Sequence, residues 1–327
     1  MMEPVIYGID WIRMKSNDFG PQRQVQIAFI AERHYLQGKT RIQIAEETGL
    51  SRFKVGRILD EAISSGMIKF EISSPTGIDL DLSRKLKDAF GLEHGIVVDV
   101  PSDSPEVMQD RLGATAADFL TEILTESDVL GLTSGRTINA LARSLRVLPE
   151  CDVVQLAGVA GPIQETGVEV LRRVSNVAGV LPWTIYSPLV VSDAQTAAGI
   201  RRQPDTKATF DQFSRVTVAV VGVGSWSPPD SLMMKNPAVS PSDLKNLIDL
   251  GVLAEIGATL IGAGGKIFNQ FEDRCIAIAE PELRRVPHVV AVAGGRSKTR
   301  SIRAVLDSGL VHSLVTDAVT ARQLLAD

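Results

Sequence analysis

At 327 residues, with 44% hydrophobic and 22% charged residues, the chain has an ordinary globular composition, long enough for two domains with sizeable cores. A formal net charge of −5 excludes a protein that coats nucleic acid or anionic membrane over its whole surface, so any polyanion contact must be local. The only two cysteines, Cys151 and Cys275, show no C-x-x-C spacing, and four histidines offer few partners for zinc, so no metal and no cofactor is expected.

The first twenty residues, MMEPVIYGIDWIRMKSNDFG, are broken by charges and lack the apolar core of a signal peptide. Nowhere is there an apolar run of membrane-spanning length, so no membrane partner and a cytoplasmic setting are expected. Next, QIAFIAERHYLQG predicts a scaffolding helix, with His34 at its surface or core edge. The stretch TRIQIAEETGLSRFKVGRILDEAISSGMI, Thr40 to Ile68, then predicts two helices. Ile42, Ile44 and Ala45 supply the apolar stripe of the first, and Gly49 suits the left-handed conformation of a tight turn. Ser51 stands where an N-cap belongs, and Val55, Ile58 and Leu59 supply the buried face of the second helix. This is helix-turn-helix spacing. Arg52, Lys54 and Arg57 fall on exposed positions with no acidic residue before Asp60, which is a groove-facing pattern. The expected DNA-binding set is Arg41, Ser51, Arg52, Phe53, Lys54 and Arg57. From Pro21 to Ser74, eight Lys and Arg stand against six Asp and Glu, so positive charge concentrates where the acidic chain as a whole lacks it. GMIKFEIS, Gly66 to Ser73, predicts a short strand or wing.

ISSPTGIDLDLS then carries Ser73, Ser74, Pro75 and Gly77, residues that end regular structure, and places a boundary between a winged helix-turn-helix domain over 21–74 and a second domain over 75–327. Beyond it, helical stretches alternate with GIVVDV, DVLGLTSG, DVVQLAG, VTVAVVGVG, ATLIGAGG, HVVAVAGG and HSLVTD. Several are continuously apolar and end in glycine, as strands buried on both faces do where they give way to a loop; the text is α/β.

Two of these strand ends carry the chemistry of an anion site. LTSGRT sets Thr133, Ser134, Gly135, Arg136 and Thr137 between a strand and the helix INALARSL, and backbone amides, hydroxyls and a guanidinium there would suit a phosphate. On its own the turn serves equally as an ordinary β-to-α connection. In AVAGGRSKTRSI, Gly294 and Gly295 end a strand, Ser297 is placed to cap the next helix, and Arg296 and Lys298 bring cations to a helix start, where they are disfavoured unless something negative sits nearby. A solvated pair of surface charges is the alternative there. VTD, ending at Asp317, and VGVGS, with Gly222 and Gly224, should face the same crevice.

The helix-turn-helix followed by GLTSGRTINALA, VVQLAG, VAVVGVGS, ATLIGAGG, AVAGGRSKTRSIRAVL and HSLVTDAVTARQLL resembles the SorC family of sugar-binding transcriptional regulators, from about Pro21 to the end. The resemblance implies a Rossmann-like effector domain related in fold to sugar-phosphate isomerases, with phosphorylated sugars or sugar derivatives as effectors. It places Lys298 on the phosphate side of the pocket; with a phosphate between the Ser134–Thr137 turn and Lys298, polar groups near Gln155, Gly222 and Gly224 are then expected along the sugar. Two departures stand out. Where the family has an acidic residue after the glycines of the segment matched to GAGGKIFNQFE, this chain has Lys266, and where the family tends to have tryptophan beside the glycine of the Ser/Thr turn, it has Ser134.

Nucleotide motifs fail. GAGGK has Leu260 where a P-loop needs its first glycine and Ile267 where it needs Ser or Thr; VVGVGSWS has Ser227 at the third glycine position of a dinucleotide fingerprint. The serine of GLTSG comes one place late for a nucleophile elbow. The expected function is a transcriptional regulator, not an enzyme, acting as a homodimer or homotetramer on double-stranded operator DNA under control of a phosphorylated sugar effector. The rival is a sugar-phosphate isomerase-like enzyme fused to a DNA-binding domain, with Asp317 as a base, although Asp317 would equally cap the helix AVTARQLL.

Overall fold

The computed structural model describes residues 19–70, 77–101, 104–160, 167–226 and 230–326. The chain divides into two compact units, Met1–Ile72 and Ser73–Asp327. Residues 71–76, which include the first part of the predicted linker, lie outside the described residues, its last residues, Leu80 to Ser83, belong to a helix, and the signal-peptide reading of the first residues also lies outside the described ones.

The first unit has three helices, α1 (Pro21–Tyr35), α2 (Arg41–Thr48) and α3 (Arg52–Ser64). Thr40 and Gln43 form a reciprocal capping box at the start of α2, Gly49 ends that helix at φ 68°, and Ser51 caps α3 by accepting from the Lys54 amide at 3.3 Å. Ile27, Ile30, Ile44, Val55, Ile58 and Leu59 fill a core common to all three helices. Ile42 is not part of it. At 57% exposed it faces solvent, because two residues before Ile44 is more than half a turn away around the helix. His34 is half-buried, with Nδ1 2.8 Å from the Lys39 carbonyl oxygen. Of the predicted wing strand, residues 66–70 form a turn and irregular chain, and the remainder lies outside the described residues.

The second unit begins with α4 (Leu80–Phe90), β1 (His94–Val98), α5 (Pro105–Ile123), β2 (Val129–Leu132), α6 (Arg136–Ser144), β3 (Asp152–Gln155), α7 (Gly167–Ala178), α8 (Ala194–Arg201) and α9 (Pro204–Asp211). It continues through β4 (Val218–Val221), β5 (Gly224–Ser225), α10 (Pro241–Asp249), β6 (Val252–Ile256), β7 (Thr259–Gly262), β8 (Ile267–Phe268), α11 (Glu280–Leu283), β9 (His288–Val292), α12 (Thr299–Asp307), β10 (Ser313–Asp317) and α13 (Ala318–Ala326).

Six strands form a parallel sheet in the order β1-β10-β9-β4-β2-β3. Alternate residues of one apolar run enter different cores: Val218 and Val220 join Leu112, Ile138 and Val174, whereas Ala219 and Val221 join Ile302, Leu314 and Ala321. A sheet covered on both faces by helices requires that pattern, and the architecture is Rossmann-like α/β. From β2 the chain goes to β3 on one side and returns to β4 on the other, which makes a topological switch point between β2 and β4.

A second, antiparallel sheet, β5-β6-β7-β8, grows directly from the end of β4. ATLIGAGG belongs here, as β7 and its turn, and not to the parallel sheet. The sequence reading also missed β6; its signal was VLAEI and TLIG, two apolar runs joined by a turn containing Gly257, which is a hairpin pattern.

Candidate functional site

On the first unit, Arg52, Phe53, Lys54 and Arg57 all project from α3 into solvent, and Phe53 is 71% exposed. The Arg52 guanidinium lies 4.9 Å from the centroid of the Phe53 ring. Among the described residues, none of Arg52, Lys54 and Arg57 is in a salt bridge. The acids nearby are engaged elsewhere: Glu47 with Lys39 and Arg33, and Glu61 with Arg23 of α1. Arg41, at the start of α2, lies beside Gly56, where an added Cβ would come 3.3 Å from its guanidinium. The exposed amino-terminal part of α3 is therefore positive, with three cations in no salt bridge among the described residues and Asp60 the exposed acid further along the helix.

On the second unit, a cleft opens at the carboxyl ends of β2, β4 and β9, at the switch point. Thr133, Ser134, Gly135, Arg136 and Thr137 line it from the β2–α6 turn, Gly222 and Gly224 from the end of β4, and Lys298 from the segment after β9. Seven residues from the turn and the β4 end thus meet Lys298, a neighbour remote in sequence. Thr133 braces the turn against β4, its Oγ1 accepting from the Gly222 amide at 3.2 Å. Gly135 precedes α6 with no side chain capping that helix, and the Ser134 and Thr137 hydroxyls have no protein partner among the described residues.

The pivotal residue of the cleft is one that sequence reasoning missed. Asp230 accepts a hydrogen bond from Arg136 Nη2 at 2.5 Å and stands 3.2 Å from Lys298 Nζ. Lys298 also donates to the Val223 carbonyl at 3.1 Å. Burial works to raise the Asp230 carboxyl, but Arg136 and Lys298 outweigh it and hold its pKa below the ordinary value. Burial lowers the Lys298 ammonium, and Asp230 opposes that shift. Arg136 and Lys298 thus converge, from two segments, on one carboxylate at the open start of α6.

A second acid was also missed. Glu255 on β6 is the register partner of Gly224 on β5, and its carboxyl reaches so far over that glycine that an added Cβ would lie 2.4 Å from Oε1. A side chain at position 224 would therefore displace the Glu255 carboxyl from its present place. Trp226 Nε1 donates to Glu255 Oε2, and the Ser231 hydroxyl donates to Oε1 at 2.5 Å. Burial raises the Glu255 pKa against these donors. Gln109 of α5 faces the cleft as well.

Three predicted residues stand outside the cleft lining. Gln155 is buried and spent on backbone, its Nε2 donating to the Ala157 carbonyl at 2.7 Å and its Oε1 accepting from Ile185 at 3.0 Å. Asp317 is buried at the start of α13, accepting from the Thr320 amide at 2.9 Å and the Gly295 amide at 2.7 Å. It positions the Gly294–Gly295 turn that leads to Lys298. Lys266 lies at the turn between β7 and β8, next to Gly265, which abuts the carboxyl end of α12, and its Nζ is 4.9 Å from the Phe268 ring centroid. The glycine turn that does face the cleft is Gly257, between β6 and β7. Ser297 is exposed and caps nothing: α12 begins after a short 3-10 turn, with Lys298 at the cap position and no side-chain cap.

A family model described as "Putative sugar-binding domain" matches residues 74–326. The chain belongs to the SorC family of sugar-binding transcriptional regulators. It is 29% identical over 306 residues to the transcriptional regulator LsrR of Enterobacter sp. (strain 638), covering 92% of each chain. It is 26% identical over 304 residues to the erythritol catabolism regulatory protein EryD of Brucella abortus, covering 89% of this chain and 93% of that one. In fold it is similar to the full-length sorbitol operon regulator SorC from Klebsiella pneumoniae, with a TM-score of 0.70 at 21% identity over 94% of this chain and 100% of that one. No described helix of this SorC-family chain is long and apolar enough to cross a membrane.

Proposed function

We propose that the chain is a sequence-specific transcriptional regulator that reads operator DNA with α3 and whose operator affinity is set by a phosphorylated sugar or sugar derivative bound in the cleft. The observation that carries this reading is the convergence of Arg136 and Lys298 on Asp230 beside the uncapped start of α6. A carboxylate supplied by the chain occupies a place that offers a guanidinium, an ammonium, free hydroxyls and a helix amino end, and these are the groups that bind an ionised phosphate. The phosphate takes over the two cations from Asp230, which is released. The sugar then lies along Gly222, Gly224, Glu255 and Gln109, where Glu255 offers the carboxylate oxygens that Lys266 does not. The names of the LsrR and EryD relatives support the regulatory role, and the SorC family supports the sugar.

One helix-turn-helix reads too few base pairs for genomic specificity, so the working form is a homodimer or homotetramer. A thermal-shift screen against sugar phosphates and their unphosphorylated analogues tests the cleft, and fluorescence anisotropy with an operator fragment tests the coupling. A phosphorylated compound should raise the midpoint and change operator affinity. Midpoint shifts that leave operator affinity unchanged would sink the regulatory reading. Glu255, a buried carboxyl with a raised pKa inside the cleft, gives the isomerase-like alternative a concrete base. Turnover of a sugar phosphate that disappears in Glu255→Gln would establish it.

A further inference from the structure

Three of the chain's four histidines, His94, His288 and His312, gather at a place that the cleft does not use. They stand at the amino ends of β1, β9 and β10, the end of the parallel sheet opposite the cleft. His94 on β1 is the register partner of Ser313 on β10, and β9 flanks β10 on its other side, so three strands bring their first residues together. Glu93, just before β1, joins them.

We propose that Glu93, His94 and His288 form a binding site for a divalent transition metal such as zinc, which clasps the edge strand β1 to β9 across β10. His288 Nδ1 stands 3.4 Å from Glu93 Oε2, and the ligand atoms of all three residues lie within 4.8 Å of one another. Two ligand atoms ~2.0–2.2 Å from a tetrahedral zinc stand about 3.4 Å apart, so the His288–Glu93 pair already has the required separation. His94 is exposed, and its ring is stacked parallel to that of His288 with centroids 5.7 Å apart, which keeps its ligand atom beside the pair.

The surroundings suit ligation as well. His288 Nε2 lies 2.8 Å from the hydroxyl of buried Ser313. With Nδ1 on the metal, Nε2–H donates to Ser313 Oγ, and such an outer partner fixes both the tautomer and the orientation of a ligating imidazole. Phe119 of α5 packs edge-on against both rings, with centroids 5.2 Å from His94 and 6.3 Å from His288. Two imidazoles and one carboxylate select a transition metal over magnesium or calcium and leave a fourth position for water. His312 stays outside the set, because its Nδ1 accepts from the Val289 amide at 3.0 Å. Neither cysteine competes: both are buried, and burial pushes the Cys275 thiol up to about 12.

The test uses the untagged full-length chain, stripped with chelator and then dialysed against micromolar free zinc. Elemental analysis should find one zinc per chain, and the thermal midpoint should rise with free zinc but not with magnesium. Glu93→Gln and His94→Ala, both at exposed positions where the fold is not at risk, should each weaken zinc binding about tenfold or more, and His288→Ala should abolish it. A chain that retains no zinc, or one whose zinc affinity is the same in Glu93→Gln and His94→Ala as in the parent, overturns the assignment.

Discussion

The two units hold positive charge in opposite ways. On α3 of the first unit, Arg52, Lys54 and Arg57 stand in solvent with no acidic partner among the described residues. In the cleft of the second unit, Arg136 and Lys298 share Asp230. The difference follows from desolvation. An exposed cation keeps its hydration and costs little to leave unpaired, and DNA gains from it by releasing counterions. A largely buried cation such as Lys298 has lost much of its water and needs a counter-charge even before a ligand arrives. The face proposed to read DNA therefore has its cations open, whereas the proposed effector cleft carries its own counter-charge, and a bound anion would have to displace Asp230.

The largest effect should come from emptying the open face. Arg52→Ala, Lys54→Ala and Arg57→Ala together should abolish specific operator binding while leaving the thermal midpoint nearly unchanged, since each base-reading arginine is worth roughly 1–3 kcal/mol and none of the three is buried. Sequence-specific anisotropy retained by the triple variant would refute the role of α3.

Next come the paired cations. Lys298→Ala and Arg136→Ala should each weaken a phosphorylated effector at least tenfold, about 1.4 kcal/mol, and its unphosphorylated analogue much less. Ligand-free DNA affinity should stay nearly intact. Titration calorimetry decides the matter, and equal losses for both compounds would move the phosphate elsewhere. Removing the competitor should act in the other direction: Asp230→Asn should tighten the phosphorylated effector by about three- to tenfold, near 1 kcal/mol for a partly exposed ion pair. Weaker binding in that variant would mean that Asp230 contacts the effector instead of giving way to it.

Glu255 sharpens the comparison through pH. Its folded pKa is raised by burial, so its contribution to stability is fully present below the ordinary carboxylate range and is lost as pH rises through the folded value. Glu255→Gln removes that ionisation, and its midpoint should fall less than the parent's as pH rises above the carboxylate range, a difference of about a few degrees. Parallel curves for the two proteins would show that Glu255 does not titrate in this way. The smallest effect is expected at Lys266→Ala, which lies outside the cleft lining and should change effector affinity by less than about 0.5 kcal/mol. A tenfold loss in calorimetry would return Lys266 to the site.

The first unit was legible because its determinants are local. Gly49, Ser51, Val55, Ile58 and Leu59 act within a turn or two of their own positions, and periodicity and capping chemistry read directly into the folded helices. Even there Ile42 was misassigned, since a stripe of three apolar residues does not say which of them faces inward. The parallel sheet was legible for a similar reason, as runs such as VTVAVV and HVVAVA have no other way to bury both faces. LTSGRT and Lys298 were found from helix-start chemistry, and both line the cleft.

By itself, the sequence determined the helix-turn-helix, the α/β class, the strand ends that meet at the switch point and the positive charge assigned to each unit. Tertiary structure decided which polar groups face one another there. Asp230 is 94 residues from Arg136, and Glu255 is 29 from Trp226 and opposite Gly224 through a strand pairing that no local pattern predicts. The same long-range packing turned Gln155 and Asp317 inward to satisfy backbone groups and carried Lys266 to the far side of a hairpin. A side chain's residue type is written in the chain, but its partner depends on which strands pair. Pairing is settled by the burial of whole faces, not by the residue that ends up at the site.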